Sequence, residues 1–220
     1  MFTGASAGSF AVSRLRNVDF LVPILYNIRK KYPAVRGVML VDSDDELYQA
    51  FLLGDTDALD TLVLRYRERL ITYLRTLIRS AEDAEDMAME AFARIMAKKP
   101  RIGEGNFRAY LYQTARHLTF RFLRKYRLEE PGLDELEIPD PGSAEKIVAD
   151  AERSRILHRC LANMEPAVRE AIWLFYFEDL SYAQAAKVMH VTGKKIDNLL
   201  MKGRRLLRAA LEKEGITDAG

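Results

Sequence analysis

The sequence predicts an all-α chain of two small helical domains joined by an acidic, flexible linker. Three observations carry this. Apolar residues recur at spacings of three and four through Leu47, Phe51, Leu59, Leu62, Tyr66, Leu70, Tyr73 and Leu77, the period of an amphipathic helix. No stretch alternates apolar and polar residues for long, and no Asn-Gly hairpin turn occurs, so strands are not expected. Proline and glycine gather at Pro100, Gly103 and Gly105 and again at Pro131, Gly132, Pro139, Pro141 and Gly142, where they end helices.

Taken in order, residues 1–41 are basic, through Arg14, Arg16, Arg29, Lys30, Lys31 and Arg36, and irregular in apolar pattern. They are expected to be an N-terminal extension of unassigned role, with Met39 a candidate internal start. A first helical domain is expected over 42–127. Two of its helices contrast in charge. Residues 81–90 read AEDAEDMAME, with no base, whereas 107–127 carry Arg108, Arg116, Arg121, Arg124, Lys125 and Arg127, with no acid. Residues 128–149 turn acidic and form the expected linker. A second domain follows over 150–214, ending in a helix bearing Lys194, Lys195, Lys202, Arg204, Arg205 and Arg208 against Asp197 alone, and 215–220 are a tail. Two basic helices separated by an acidic connector suggest two grips on one polyanion.

Composition sets outer limits. The 220 residues carry 34 Lys+Arg against 32 Asp+Glu, a net charge of +2, and 49% are hydrophobic. That is an ordinary globular composition, and the nucleic-acid signal lies in charge patterning rather than in net charge. Cys160 is the single cysteine, which excludes an internal disulfide and fits a reducing, cytoplasmic setting. No apolar run approaches the roughly 20 residues needed to cross a bilayer. Asp19, Pro23 and Asn27 interrupt the early apolar patch, so neither membrane insertion nor a signal peptide is expected. Cys160 and His158 lack further ligands for a metal, and no residue pattern calls for a cofactor.

The most specific local signal runs from Leu180 to Leu200. Ser181 suits the N-cap of a short helix through Met189, Ala183, Ala185 and Ala186 let a second helix cross closely, and His190-Val191-Thr192-Gly193 reads as the tight turn of a helix-turn-helix. In the helix that follows, to about Ala210, Ile196, Leu199, Leu200 and Leu206/Leu207 are expected to face inward. Lys194, Lys195, Asp197, Asn198, Met201, Lys202, Arg204 and Arg205 are left outside. Such a helix offers its first turns to the major groove while its bases hold phosphate. The bland alternative is a helical hairpin with a solvated basic face. Trp173, in the apolar run Ala171–Phe177, reads as core rather than as a stacking platform.

In the first domain, Phe107, Leu111, Ala115, Leu118 and Phe122 form the buried stripe of the basic helix. Tyr110, Gln113, His117, Arg121 and Arg124 share another face. Rings interleaved with arginines suit unstacked single-stranded bases, and the preceding loop, with Lys98, Lys99, Arg101 and Asn106, could pocket a flipped base. The alternative is that Tyr110 and Tyr112 cap the core and the arginines pair with the acidic linker. Both readings stand on the residues alone.

The run Asp83–Met96 followed by Phe107–His117 resembles region 2 of bacterial sigma factors of the small extracytoplasmic-function (ECF) type. Leu161–Ala171 and Tyr176–Ala186 resemble region 4. The resemblance spans about 42–213. It implies a transcription initiation factor, not an enzyme, that binds RNA polymerase core through the β′ clamp helices and the β flap and then opens promoter DNA. It further implies that Asp83, Glu85, Asp86, Glu90, Phe92 and Arg94 dock on the polymerase clamp. Lys98, Lys99, Arg101, Asn106, Tyr110, His117, Arg121 and Arg124 are implied to capture the −10 element, and Lys194, Lys195, Asp197, Asn198, Met201, Lys202, Arg204 and Arg205 the −35 element. An anti-sigma partner covering both domains is also implied. Departures from the family pattern include Tyr110 for Trp, His117 for Asn, Arg121 for Asp and Gly203 for Ala. The rival function is a helix-turn-helix regulator that works without core polymerase.

Overall fold

A computed structural model of the chain describes residues 43–78, 80–129 and 159–213, with side chains up to Lys125 and again from Arg159. The expectations for the N-terminal extension, the acidic linker and the tail lie outside the described residues, which are helical throughout apart from turns and caps.

Helix α1 (Asp44–Leu52) opens on a capping box in which Ser43 and Glu46 satisfy each other's backbone N–H. Its acids Asp44, Asp45 and Glu46 complement the positive end of the helix dipole. Helix α2 (Thr56–Leu74) is capped by Asp55 and buries Leu59, Leu62, Tyr66, Leu70, Tyr73 and Leu74. Helix α3 (Ala81–Lys98) is capped by Ser80 and turns Ala84, Ala88, Ala91, Phe92 and Ile95 inward. Three alanines on that face bring its neighbours close, so a helix that is acidic outside is tightly packed inside. Helix α4 (Phe107–Glu129) buries Phe107, Leu111, Ala115 and Leu118 as the stripe predicts, with Phe122 partly buried and Tyr112 completely so.

After a helical turn at residues 159–162, Pro166 begins α5 (Pro166–Ile172), where its missing N–H has no partner to lose. The helix widens into a π turn over Trp173–Phe177, in which Trp173 stacks on Phe177 with ring centroids 4.5 Å apart. Trp173 is 6% exposed, a core residue as expected. Helices α6 (Tyr182–Met189) and α7 (Gly193–Lys213) complete the described residues.

Two details differ from the sequence expectation. Leu206 faces outward while Leu207 is buried, and Ala183 is exposed while Ala185 and Ala186 pack inward. Leu206 lies one position off the Gly203–Leu207–Leu211 row that α7 buries, and Ala183 lies two positions before the buried pair Ala185 and Ala186. The two helical units also meet. Helix α6 packs along α4, and the contact is threaded by buried polar groups from both units.

Candidate nucleic-acid and protein interfaces

The helix-turn-helix forms from local signals. Ser181 accepts a hydrogen bond from the Gln184 N–H, and the Gln184 side chain accepts from the Ser181 N–H, a second capping box. Helix α6 stops at His190, whose φ of 55° is left-handed, and Thr192 Oγ1 accepts from the Lys195 N–H to start α7. Ile196, Leu199, Leu200, Gly203, Leu207 and Leu211 face inward. Outside lie Lys194, Lys195, Asn198, Lys202 and Arg205, together with Met201, which is 60% exposed. Asp197 and Arg204 are half-buried, and Lys202 is ion-paired with Glu165 on the neighbouring element. The exposed set is therefore one contiguous basic face beginning at the N-terminus of α7.

On α3 the acids Glu85, Asp86 and Glu90 are exposed and Asp83 is half-buried. Glu85 pairs with Arg67 of α2, and Arg94 Nε donates to Glu90 across one helical turn at 2.7 Å. Phe92 corrects the sequence reading: it is 1% exposed and belongs to the core. Its position falls on the inward face with Ala88 and Ile95, so its side chain cannot touch a partner. Asp86, Met89 and Glu90 form one wall of an open groove whose other wall carries Arg121, Phe122 and Arg124 from α4. Residues assigned by sequence to two different ligands thus face each other across one cleft.

The loop between α3 and α4 is fixed by specific bonds. Lys99 is left-handed, with φ 43°, and its ammonium sits 4.9 Å from the Phe51 ring centre. Tyr48 Oη donates to the Pro100 carbonyl at 2.6 Å, and the Gly105 N–H donates to Asp45 at 2.6 Å. Asn106 Nδ2 donates to the Glu104 carbonyl at 2.8 Å. Lys98, Lys99 and Arg101 are exposed, Asn106 and Tyr110 are half-buried, and His117, Arg121 and Arg124 are exposed along the predicted face.

Sequence reasoning missed a buried polar hub. Glu170 accepts from Tyr73 Oη at 2.8 Å and from Arg116 Nε at 2.6 Å. Glu178 accepts from Arg69 Nε at 3.1 Å, from Trp173 Nε1 at 3.3 Å and from Tyr112 Oη. The Glu178 carbonyl accepts from Arg108 Nη1 at 2.9 Å. Burial pushes the Glu178 carboxyl above its ordinary range, against the pull of Arg69 and the Tyr112 hydrogen bond, and burial beside the carboxylates pushes the Tyr73 and Tyr112 phenols well up. Of the α4 arginines, Arg116 pairs with Glu170, and Arg108 donates to the Glu178 carbonyl and to Tyr66 Oη; the alternative that the arginines pair with the acidic linker falls on residues outside the described ones. One signal was present in the sequence: Glu170 and Glu178 bracket the apolar run Ala171–Phe177.

Comparison with known proteins places both helical units in one family. Residues 62–129 match "Sigma-70 region 2" and residues 154–207 match "Sigma-70, region 4"; together these span more than half of the chain. The RNA polymerase sigma-H factor of Pseudomonas aeruginosa is 25% identical over 183 residues, covering 78% of this chain and 95% of that protein. The ECF RNA polymerase sigma factor SigM of Bacillus subtilis is 22% identical over 161 residues, covering 73% and 98%. Among solved structures, RpoE of Bartonella quintana bound to the anti-sigma factor NepR shares the fold with a TM-score of 0.58 at 20% identity, covering 71% of this chain and 98% of that one. CnrH in complex with the cytosolic domain of CnrY does so with a TM-score of 0.54 at 22% identity, covering 78% and 99%. With both regions present in the family's order, the chain belongs to the ECF-type sigma-70 factors, transcription initiation factors that direct RNA polymerase to promoters.

Proposed function

We propose a division of labour over two domains, with boundaries at 42–127 and 150–214. Glu85, Asp86, Glu90 and Arg94 on α3, with Asp83 at its start, form the polymerase-docking face; Phe92 holds that helix from behind. Lys98, Lys99, Arg101, Asn106 and Tyr110 capture the −10 element, while His117, Arg121 and Arg124 continue its path along α4. Lys194, Lys195, Asn198, Met201 and Arg205 meet the −35 duplex, with Asp197, Lys202 and Arg204 at the border of that surface. The observation that carries this reading is the exposed basic face of α7, at the start of a helix whose first turn is capped by Thr192. A helix N-terminus aimed at the major groove with lysines beside it combines base reading with phosphate neutralisation.

The acidic face of α3 supports a basic protein partner, since like charges at this density favour an opposing surface. A cytoplasmic factor held by an anti-sigma protein follows the same reading, supported by the two solved relatives described in complex with such partners. Among the described residues no helix is long and apolar enough to cross a membrane.

Run-off transcription with core polymerase on a promoter library tests the function: specific start sites that depend on the added chain are expected. Charge reversal by Asp86→Lys with Glu90→Lys is expected to abolish co-migration with core polymerase while leaving duplex binding by the isolated factor unchanged. A regulator that acts without polymerase predicts no effect of that double change on its activity.

A further inference from the structure

Helix α3 carries two apolar rows. The inner one, Ala84, Ala88, Ala91, Phe92 and Ile95, is core. The outer one, Met89, Ala93 and Met96, keeps the same three-and-four spacing on the opposite side and faces water, with Met89 42% and Met96 48% exposed. Folding needs only one such row on a surface helix, and a second apolar row in water marks a contact surface. Met87, Leu118 and Phe122 carry this surface into the groove between α3 and α4. Acids flank it on the α3 side. Glu85 is answered by Arg67 and Glu90 by Arg94, whereas among the described residues Glu82 and Asp86 have no ion-pair partner. The facing wall is basic, with Arg121, Arg124 and Lys125. An occupant therefore needs apolar groups for the row and cations turned towards α3.

The chain contains a segment of that chemistry. Its N-terminal extension runs Phe20-Leu-Val-Pro-Ile-Leu-Tyr-Asn-Ile-Arg-Lys-Lys31, an apolar stretch that ends in three bases. A segment that held only DNA would leave Phe20, Leu21, Val22, Ile24, Leu25 and Ile28 in water, at a cost in apolar exposure. The tether is long enough for α3. Ser43 caps α1, and α1 lies against the C-terminal end of α3, where Tyr48 Oη donates to the Pro100 carbonyl at 2.6 Å and the Lys99 ammonium sits over Phe51. The 18 residues of α3 make a helix about 27 Å long. Residues 32–42 reach up to about 36 Å when extended. A tethered segment meets its site at a high effective concentration, so a modest intrinsic affinity fills the site.

We propose that Phe20–Lys31 seats along Met89, Ala93 and Met96 with its bases on the α3 acids, and that RNA polymerase core must displace it to reach Asp86 and Glu90. The competition rests on the assignment of that face to polymerase; the seating does not. The two occupants share one surface, so the apparent affinity for core falls by the fraction of molecules whose face is open.

The seating is tested on the full chain with Ala93→p-benzoylphenylalanine, irradiated without polymerase as an equal mixture of isotopically light and heavy molecules and digested with trypsin. A cross-link from position 93 to the peptide Asn17–Arg29, within one molecule, is expected. Mixed-isotope products place a second copy on the face and overturn the proposal, as does the absence of a cross-link to that peptide. In a second arm, Arg29→Glu, Lys30→Glu and Lys31→Glu are combined in the full chain. The triple variant is expected to lose the cross-link and to bind core polymerase about tenfold more tightly than the unchanged chain, as for a face closed in about nine-tenths of molecules. Equal core affinity of the two chains overturns the competition. Weaker binding to a randomised duplex pool with core affinity unchanged makes the segment a DNA arm and overturns the proposal. Core binding by neither chain overturns the polymerase assignment of α3 and the competition with it, while the cross-link, read without polymerase, decides the seating by itself.

Discussion

Gly203 shows how one atom fixes a helix crossing. A Cβ placed there would lie 2.6 Å from Ile172 Cγ1, 2.8 Å from Ile172 Cδ1 and 3.2 Å from Val168 Cγ1. In an exposed helix, glycine is about 0.5–1 kcal/mol worse than alanine, so Gly203→Ala would ordinarily stabilise. Here the clash is with the body of a buried side chain, and the substitution is expected to destabilise by about 1–3 kcal/mol, read as a lower midpoint in denaturant. Adding Ile172→Val, which deletes the Cδ1 atom, is expected to recover part of the loss. The buried phenols give a second prediction. Tyr48 and Tyr66 are pushed up to about 12, chiefly by burial, and burial pushes Tyr73 and Tyr112 well above the ordinary phenol range too. The folded chain holds these protons where the unfolded chain releases them near pH 10. Their contribution to stability is whole below about pH 10 and falls as pH rises beyond it. Phenolate absorbance is expected to show these tyrosines titrating late, with loss of helix by circular dichroism.

Each element rests on a few local devices. Ser181→Ala removes the acceptor for the Gln184 N–H and one half of a capping box, at a cost of about 0.5–2 kcal/mol, measured by thermal unfolding. On α7, Asn198→Ala is expected to relax base preference by about 1–3 kcal/mol at one position. Lys194→Ala instead weakens binding to all sequences and lowers the salt slope by about one; a salt titration on duplex DNA separates the two. Phe92→Ala on α3 is expected to cost about 3–5 kcal/mol of folding stability, whereas a surface contact would change polymerase affinity alone. The caps, turns and buried stripes of α4, α6 and α7 were legible because they depend on residues within four positions of one another. The π turn at Trp173–Phe177 was not, since one widened turn leaves no mark in an apolar run that is buried on every side.

At the scale of the molecule, the hub joins residues far apart in sequence: Arg69 and Glu178 are separated by 109 positions. Glu178→Ala strips the counter-charge from Arg69 and an acceptor from Tyr112 and Trp173. A loss of about 3–5 kcal/mol is expected, with the single unfolding transition splitting into two as the domains lose their coupling. Equilibrium unfolding followed by Trp173 fluorescence and by far-ultraviolet circular dichroism checks this: coincident curves for the variant would contradict it. The groove between α3 and α4 makes the same point, since it brings Glu90 and Arg124 to facing walls although the sequence places them in opposite charge blocks.

Helix content, the helix-turn-helix and the family are written in the order of the residues, because hydrophobic period, capping and turn chemistry act over a few positions. Tertiary structure alone decided that Phe92 is core, that Gly203 is a contact point, and that Glu170 and Glu178 close one domain on the other. Those outcomes depend on which surfaces meet, and a carboxylate looks the same in a sequence whether water or a buried arginine faces it.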